Sequence, residues 1–341
     1  MGDAETDAPC ERVGEPMPDI AGIGIIVAFA GQAFISLTLA IWVHFSSRHG
    51  KLEVQHAEGT QEHAVEVKRL ESILDILMVG NDIQLLTGIA LMISAFAIVE
   101  EIDLYHLHLI YDTVSFVGVS SAAALITWTF SVAKHPNSSK YTPRARKTPI
   151  TRRILTSRHR MTYTFSLLFL ALAILLEVRL GDWSTDPAAP AGSCFHVSGL
   201  LAAPGAAHPA ADRVYVAITA AWLLVVMFLA IFQGPARRHS VLLAAVVQFP
   251  VHLYAVIALR TGNQAFLESE GGEQENDWDF GQTTAVLLLG VTVHECVEKG
   301  KELWRLEKRV KKSETVEKAE VGKAGPRVRE EGVVASSDAP S

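Results

Sequence analysis

Apolar residues in this chain are gathered into seven long runs separated by polar stretches: Ile20 to Phe45, Ile76 to Val99, Leu104 to Ala133, Met161 to Val178, Val214 to Gln233, Ser240 to Leu259 and Phe280 to Val297. About 20 mostly apolar residues cross a bilayer as a helix. No run alternates with the period of two that marks a membrane barrel, and in lipid only helices satisfy every other backbone group. The pattern predicts an all-α, polytopic membrane protein, a seven-transmembrane-helix bundle over residues 20–297. Residues 1–19 read as an acidic tail and residues 46–72 as a connection with a surface helix. Past the seventh run, Leu303, Leu306 and Val310 form an apolar stripe among Lys and Arg, which predicts an interfacial amphipathic helix over 298–312. The remainder, 313–341, is charged and has no aromatic residue, as in a disordered tail.

The charge pattern orients the bundle. Between the third and fourth runs lie Lys134, Lys140, Arg144, Arg146, Lys147, Arg152, Arg153, Arg158 and Arg160. The first connection, the Arg237-Arg238 pair and the segment from Lys299 onward are also basic, whereas the sixth connection, LESEGGEQENDWDF, is acidic. The positive-inside rule then predicts an outside or luminal N-terminus and a cytosolic C-terminus, with anionic lipid as the partner of the basic cytosolic segments. An endomembrane such as the endoplasmic reticulum is the expected location. The composition, 49% hydrophobic in 341 residues, implies a lipid bilayer as partner, and no nucleic acid is expected. Cys10 and Cys194 share the luminal side, so the compartment permits a disulfide that their spacing does not establish.

Ionisable residues inside the apolar runs carry the candidate chemistry. A charged side chain at the bilayer centre costs roughly 2.5–3.5 kcal/mol on insertion scales and so marks function by default. In the third run Tyr105, His108, Asp112 and Ser115 recur at spacings of three and four and share a helical face. Two readings stand: a polar cavity with His108 and Asp112 as an acid/base pair, or Asp112 bonded to a neighbouring helix with His108 among the headgroups. His106 is expected at the interface. In the second run Asp82 is either a site residue or a hydrogen-bond partner of a nearby helix. Glu177, at the end of the fourth run, is either a site residue or the partner of Arg179. Glu100, Glu101 and Asp103 form a solvated turn, or with His106 a divalent-cation site. Gln248, His252 and Tyr254 add polarity to the sixth run, which Pro250 should kink. Nucleotide-loop, HExxH, paired CxxC and GxSxG motifs are absent from the sequence, and Asn81-Asp82-Ile83-Gln84-Leu85 departs from the NDxxD pattern of metal-diphosphate enzymes at its last position.

Pro18-Asp19-Ile20-Ala21-Gly22-Ile23-Gly24, the block Asn81-Asp82-Ile83-Gln84-Leu85-Leu86-Thr87-Gly88-Ile89-Ala90 and Tyr105-His106 resemble a large group of filamentous-fungal heptahelical integral membrane proteins. In that group the second block usually resembles SDQQLVTGIA, and this chain departs at its start. The resemblance covers the first three helices, and the rest by topology. Some members lie in secondary-metabolite gene clusters, and the membrane-bound terpene cyclases of the ascofuranone type look similar in size and span count. The resemblance assigns no catalytic residue. It implies a membrane-bound cyclase acting on a prenylated (meroterpenoid) epoxide, which needs neither metal nor cofactor. One acid protonates the epoxide oxygen, and a base takes up a proton or directs a hydroxyl. Desolvation disfavours an ionised carboxyl and so keeps such an acid able to donate. Asp82 or Asp112 would be the acid, His108 or Glu101 the base, and Glu177 a further member. Tyr111, Phe116, Trp128 and Tyr163 offer ring faces to positive charge. The alternative is a non-enzymatic receptor-like or scaffold protein, which the same topology fits.

Overall fold

The computed structural model describes residues 10, 13–48, 56, 59–134, 157–186, 188–196, 210–232, 238–267 and 275–323. Within them the chain forms α1 (Pro18–Ala21), α2 (Ile23–Arg48), α3 (Gln61–Ala97), α4 (Leu104–Lys134), α5 (Ser157–Gly181), α6 (Ala210–Phe232), α7 (Arg238–Asn263) and α8 (Phe280–Lys323), with a short 3-10 turn at Gln264–Phe266. Seven of these helices, α2 to α8, are long and apolar enough to cross a membrane, as the seven runs predict.

Their arrangement is a ring around an axle. The helices α2, α3, α5, α6 and α7 close a circle, each packed on the next and α7 back on α2. At the centre stands α4, packed against all five. Every residue of its apolar window is buried. Lipid offers no hydrophobic drive for helix association, so close packing and interhelical hydrogen bonds must hold such a helix in place. The sequence of α4 supplies both. Gly118 lets α6 approach so closely that a Cβ there would stand 2.6 Å from Leu223. Gly88 of α3 does the same for Val117, at 2.8 Å. Ser120 Oγ donates to Gln84 Oε1, and Gln84 Nε2 donates to the carbonyl of Phe29 at 3.1 Å, which links α4, α3 and α2. Outside the ring α8 lies against α2 and α3. Thr292 of α8 donates to Gln32 of α2 at 3.1 Å.

Two connections differ from their sequence reading. The helix foreseen in 46–72 is the first part of α3 itself: Thr60 caps it by accepting from the His63 amide at 3.2 Å, and it runs 37 residues without a break into the second span. Likewise no separate interfacial helix occupies 298–312, because α8 is a single 44-residue helix. It continues to Lys323, where the sequence suggested disorder, and 324–341 fall outside the described residues. These two extensions pair antiparallel: Asp75 with Lys299 at 3.5 Å, Lys68 with Glu302 at 3.0 Å, Arg69 with Glu307 at 2.5 Å and Ser313 with Gln61 at 2.7 Å. Val310 is buried against this pair. A stripe of period three to four fits a partner helix as well as a lipid surface.

At the opposite end, chain segments seal the ring. Cys10 and Cys194 form a disulfide with their Cα atoms 5.8 Å apart, which joins the segment before α1 to the α5–α6 connection. Val13 beside it is fully buried and Cys10 is buried too, so this part of the tail is packed chain, while Glu15 is exposed; residues 1–9, 11 and 12 lie outside the described ones. Gly14 (φ +136°) and Gly192 (φ +80°) press their backbones against the Asp103 side chain, where a Cβ would overlap it. Only glycine combines that approach with that backbone region at little cost. Large apolar side chains on the ring's outer face, among them Leu86, Ile93, Leu167 and Phe228, point away from the bundle, as lipid contact requires. Most of the basic segment between the third and fourth spans, the proposed anionic-lipid contact, lies at 135–156, outside the described residues.

Candidate active site at the centre of the bundle

α4 turns toward α6 and α7 a face that begins with His108 and Asp112, one helical turn apart and both fully buried. From α6, Tyr215 O–H donates to Asp112 Oδ1 at 2.6 Å. From α7, His252 Nδ1 lies 2.7 Å from the same oxygen and 3.1 Å from the Tyr215 hydroxyl. Gln248, one turn before His252, determines how that imidazole is used. Its Nε2 donates to the Thr219 carbonyl at 3.0 Å and lies 3.3 Å from His252 Nε2. An amide N–H aimed at Nε2 makes that nitrogen an acceptor and leaves the ring proton on Nδ1, where it is donated to Asp112. One carboxylate oxygen therefore receives two donors from two helices.

The other oxygen of Asp112 has no hydrogen-bond partner, nor has either nitrogen of His108. His108 Nε2 faces Asp112 Oδ2 at 3.5 Å, an ion-pair separation too long for a good hydrogen bond. Ring edges enclose His108: Phe195 at 5.6 Å, Tyr215 at 6.0 Å and Tyr111 at 6.3 Å between centroids. Asp212, one turn ahead of Tyr215 on α6, is 1% exposed, interacts electrostatically with His108 and Asp112, and has neither oxygen hydrogen-bonded. Tyr111 closes the layer, bonding Thr219 Oγ1 at 2.7 Å and donating to the Val216 carbonyl at 3.1 Å, with Phe169 of α5 stacked on it at 5.4 Å. Buried polar atoms are almost always paired. Three neighbouring acid/base side chains here carry unpaired atoms, and such groups are able to exchange protons or to bond a ligand's polar atoms.

Of the five sequence candidates the structure brings two together, His108 and Asp112. Asp82 stands apart. Gln84 is level with Ser120, eight residues beyond Asp112, and α3 runs antiparallel to α4, so Asp82 lies roughly 15 Å deeper at 1.5 Å per residue. Glu101 sits exposed on the turn after α3. Glu177 pairs with Arg213, Nε to Oε2 at 3.3 Å. Its expected partner Arg179 instead donates to the Ile102 carbonyl at 2.7 Å. His106, expected at the interface, is fully buried within the protein, held between Asp103 Oδ2 at 2.7 Å and Glu275 Oε1 at 3.0 Å. Glu275 in turn faces the Tyr105 hydroxyl at 3.3 Å and Arg260 Nη1 at 3.5 Å. With Asp103 and His106 so engaged, the cation site considered for that turn is not formed: among the described residues no group of three or more His, Cys, Asp or Glu is placed to hold a metal ion.

Sequence reasoning did not single out Tyr215, His252, Gln248 and Asp212 as site residues. Their spacing carried a signal. Asp212, Tyr215, Val216 and Thr219 follow the i, i+3, i+4, i+7 rule of one helical face, as do Gln248 and His252. Asp212 was hidden because the fifth apolar run, taken to begin at Val214, left it in the preceding loop. Tyr254, read with His252 as polarity, is 52% exposed and faces outward.

Comparison with known proteins adds one similarity. Over 96 residues the chain is 33% identical to the elsinochromes biosynthesis cluster protein HP3 of Elsinoe fawcettii, a match spanning 27% of this chain and 38% of that protein. No protein-family model matches the sequence, and no solved structure matches it.

Proposed function

We propose that the chain is a multi-pass membrane enzyme of fungal secondary metabolism, a cyclase that isomerises an apolar prenylated epoxide by acid/base catalysis at Asp112 and His108. One observation carries this reading: Asp112 Oδ2 and His108 Nε2 face each other at 3.5 Å, neither hydrogen-bonded, at the centre of a membrane-spanning bundle. The similarity to a protein of the elsinochromes biosynthesis cluster supports the secondary-metabolite setting. A proton on Asp112 Oδ2 passes to the epoxide oxygen, the C–O bond breaks, and an alkene of the same molecule closes the ring. The carbon proton lost at the end goes to His108 Nε2 and returns to Asp112 Oδ2 once the two side chains close the 3.5 Å between them. Atoms balance, and the product has the mass of the substrate. Tyr215 and His252 hold the carboxyl in place and stabilise its charge once the proton has left. Tyr111 and Phe195 present ring faces and edges to the positive charge in between. Location in an endomembrane, disulfide end to the lumen, agrees with the basic connections at the other end and with the oxidising compartment that a disulfide needs.

The test is expression in a fungal host without metabolites of its own, with microsomes fed prenylated aryl epoxides. A new isomer of unchanged mass is expected, and Asp112→Asn should reduce its formation at least about 100-fold, the range of lost acid/base catalysis. The rival, a receptor-like or scaffold protein, draws on the ring that covers α4 on every side. Absence of turnover with correctly inserted protein across several prenyl substrates would favour it.

A further inference from the structure

On the outer face of the ring α5 and α6 part to leave an elongated cleft of about 470 Å³, within the roughly 300–1,000 Å³ usual for small-molecule sites. Its walls are Leu170, Ala173 and Ile174 of α5 and Val216, Ala217 and Ala220 of α6. The alanines keep it open: larger side chains at these positions would fill it. Both flanks carry outward apolar residues, Ile174 and Val178 on α5 and Ile218 on α6, each more than half exposed, so the cleft opens sideways into the bilayer rather than to water.

One end of this apolar trough is polar. Glu177 and Arg213 both line it and pair at 3.3 Å through Glu177 Oε2. The other oxygen, Oε1, is shielded from water and accepts no hydrogen bond. An acyl chain would leave that acceptor unpaired, as it is in the protein alone, whereas a hydroxyl, met by a turn of the Glu177 side chain, would supply the missing bond. The trough's inner wall is also the outer wall of the central site. Val216 lines the cleft, and its carbonyl receives the Tyr111 hydroxyl; Thr219, bonded to the same hydroxyl, faces inward between two cleft residues.

We propose that the α5–α6 cleft binds the chain of a bilayer-dissolved prenyl alcohol or prenylated phenol, its hydroxyl donating to Glu177 Oε1 and its hydrocarbon lying along Ala173, Ala217 and Ala220. As the lateral docking place for the molecule on which Asp112 acts, it rests on the function proposed above. Binding itself does not require that chemistry, so the two can fail separately.

The test uses the full chain in nanodiscs and a photoreactive prenylated phenol, with the methyl ether of the same probe and a photoreactive phospholipid as the other arms. Labelled peptides from α5 and α6 are expected. Ala217→Phe, at an exposed wall position, should reduce labelling about tenfold. Glu177→Gln should erase the preference for the phenol over its ether, and Asp112→Asn should leave labelling unchanged. Should Ala217→Phe disturb folding, Ala221→Leu on the same exposed wall replaces it. Equal labelling by phenol, ether and phospholipid would show general lipid occupancy and overturn the proposal, as would labels mapped to other helices or labelling indifferent to the cleft substitutions in well-folded protein. A cleft that binds with no turnover at Asp112 would overturn the cyclase reading alone.

Discussion

Asp112 is usable because its two oxygens have different surroundings. Oδ1 is held by Tyr215 and His252, while Oδ2 looks at His108 with no bond made. Removing one donor tests this division. Tyr215→Phe keeps the ring that packs near His108 but deletes one hydrogen bond to the carboxyl, and such bonds to charged groups are worth about 1.5–3 kcal/mol. On the proposed cyclase function, turnover of the prenylated epoxide should fall about tenfold or more, with the thermal unfolding of the protein in detergent lowered only slightly. An unchanged rate would remove Tyr215 from the site. The His108 and Asp112 half of this centre was legible in the sequence because two residues four apart on a helix must share a face. The other half was not, since Tyr215 and His252 lie 103 and 140 residues from Asp112. Helical periodicity says which residues share a face and nothing about which faces meet.

At the scale of elements α4 decides the molecule. Its many small and polar residues, Gly118, Ser115, Ser120, Ser121 and the run Ala122 to Ala124, would make a poor lipid-facing helix, and all are buried. Small residues bring backbones close, and hydroxyls then bond within or across helices. Gly118→Leu should separate α4 from α6, since even a Cβ meets Leu223 at 2.6 Å. Overpacking of this kind typically costs about 1–3 kcal/mol. The expected reading is a lower unfolding temperature in detergent together with lost turnover; an unaltered melting curve would contradict the close approach. For α8 the period of its apolar stripe was read correctly and its partner was not. Leu303, Leu306 and Val310 follow a helical rule that an interface helix and a helix pair share, and the cross-pairing of Lys68, Arg69 and Asp75 with Glu302, Glu307 and Lys299 becomes visible only once both helices are in place.

For the whole molecule the disulfide end is a closure built from segments distant in sequence. Cys10 and Cys194 are 184 residues apart, and a native crosslink over so long a loop commonly contributes about 2–4 kcal/mol. Cys194→Ser should therefore lower the unfolding temperature, and reductant should do the same to the parent protein and nothing further to the variant. Equal curves with and without reductant would mean that the crosslink contributes nothing. Seven membrane-length helices and the shared helical face of His108 and Asp112 follow from the chain alone, because span length and helical period are local properties that each segment carries within itself. The ring with α4 as its axle, the recruitment of Tyr215, His252 and Asp212 to that axle and the cleft between α5 and α6 required the folded molecule. Each depends on contacts between helices, and the apolar outer surfaces of membrane helices look alike in sequence whichever neighbours or lipids they meet.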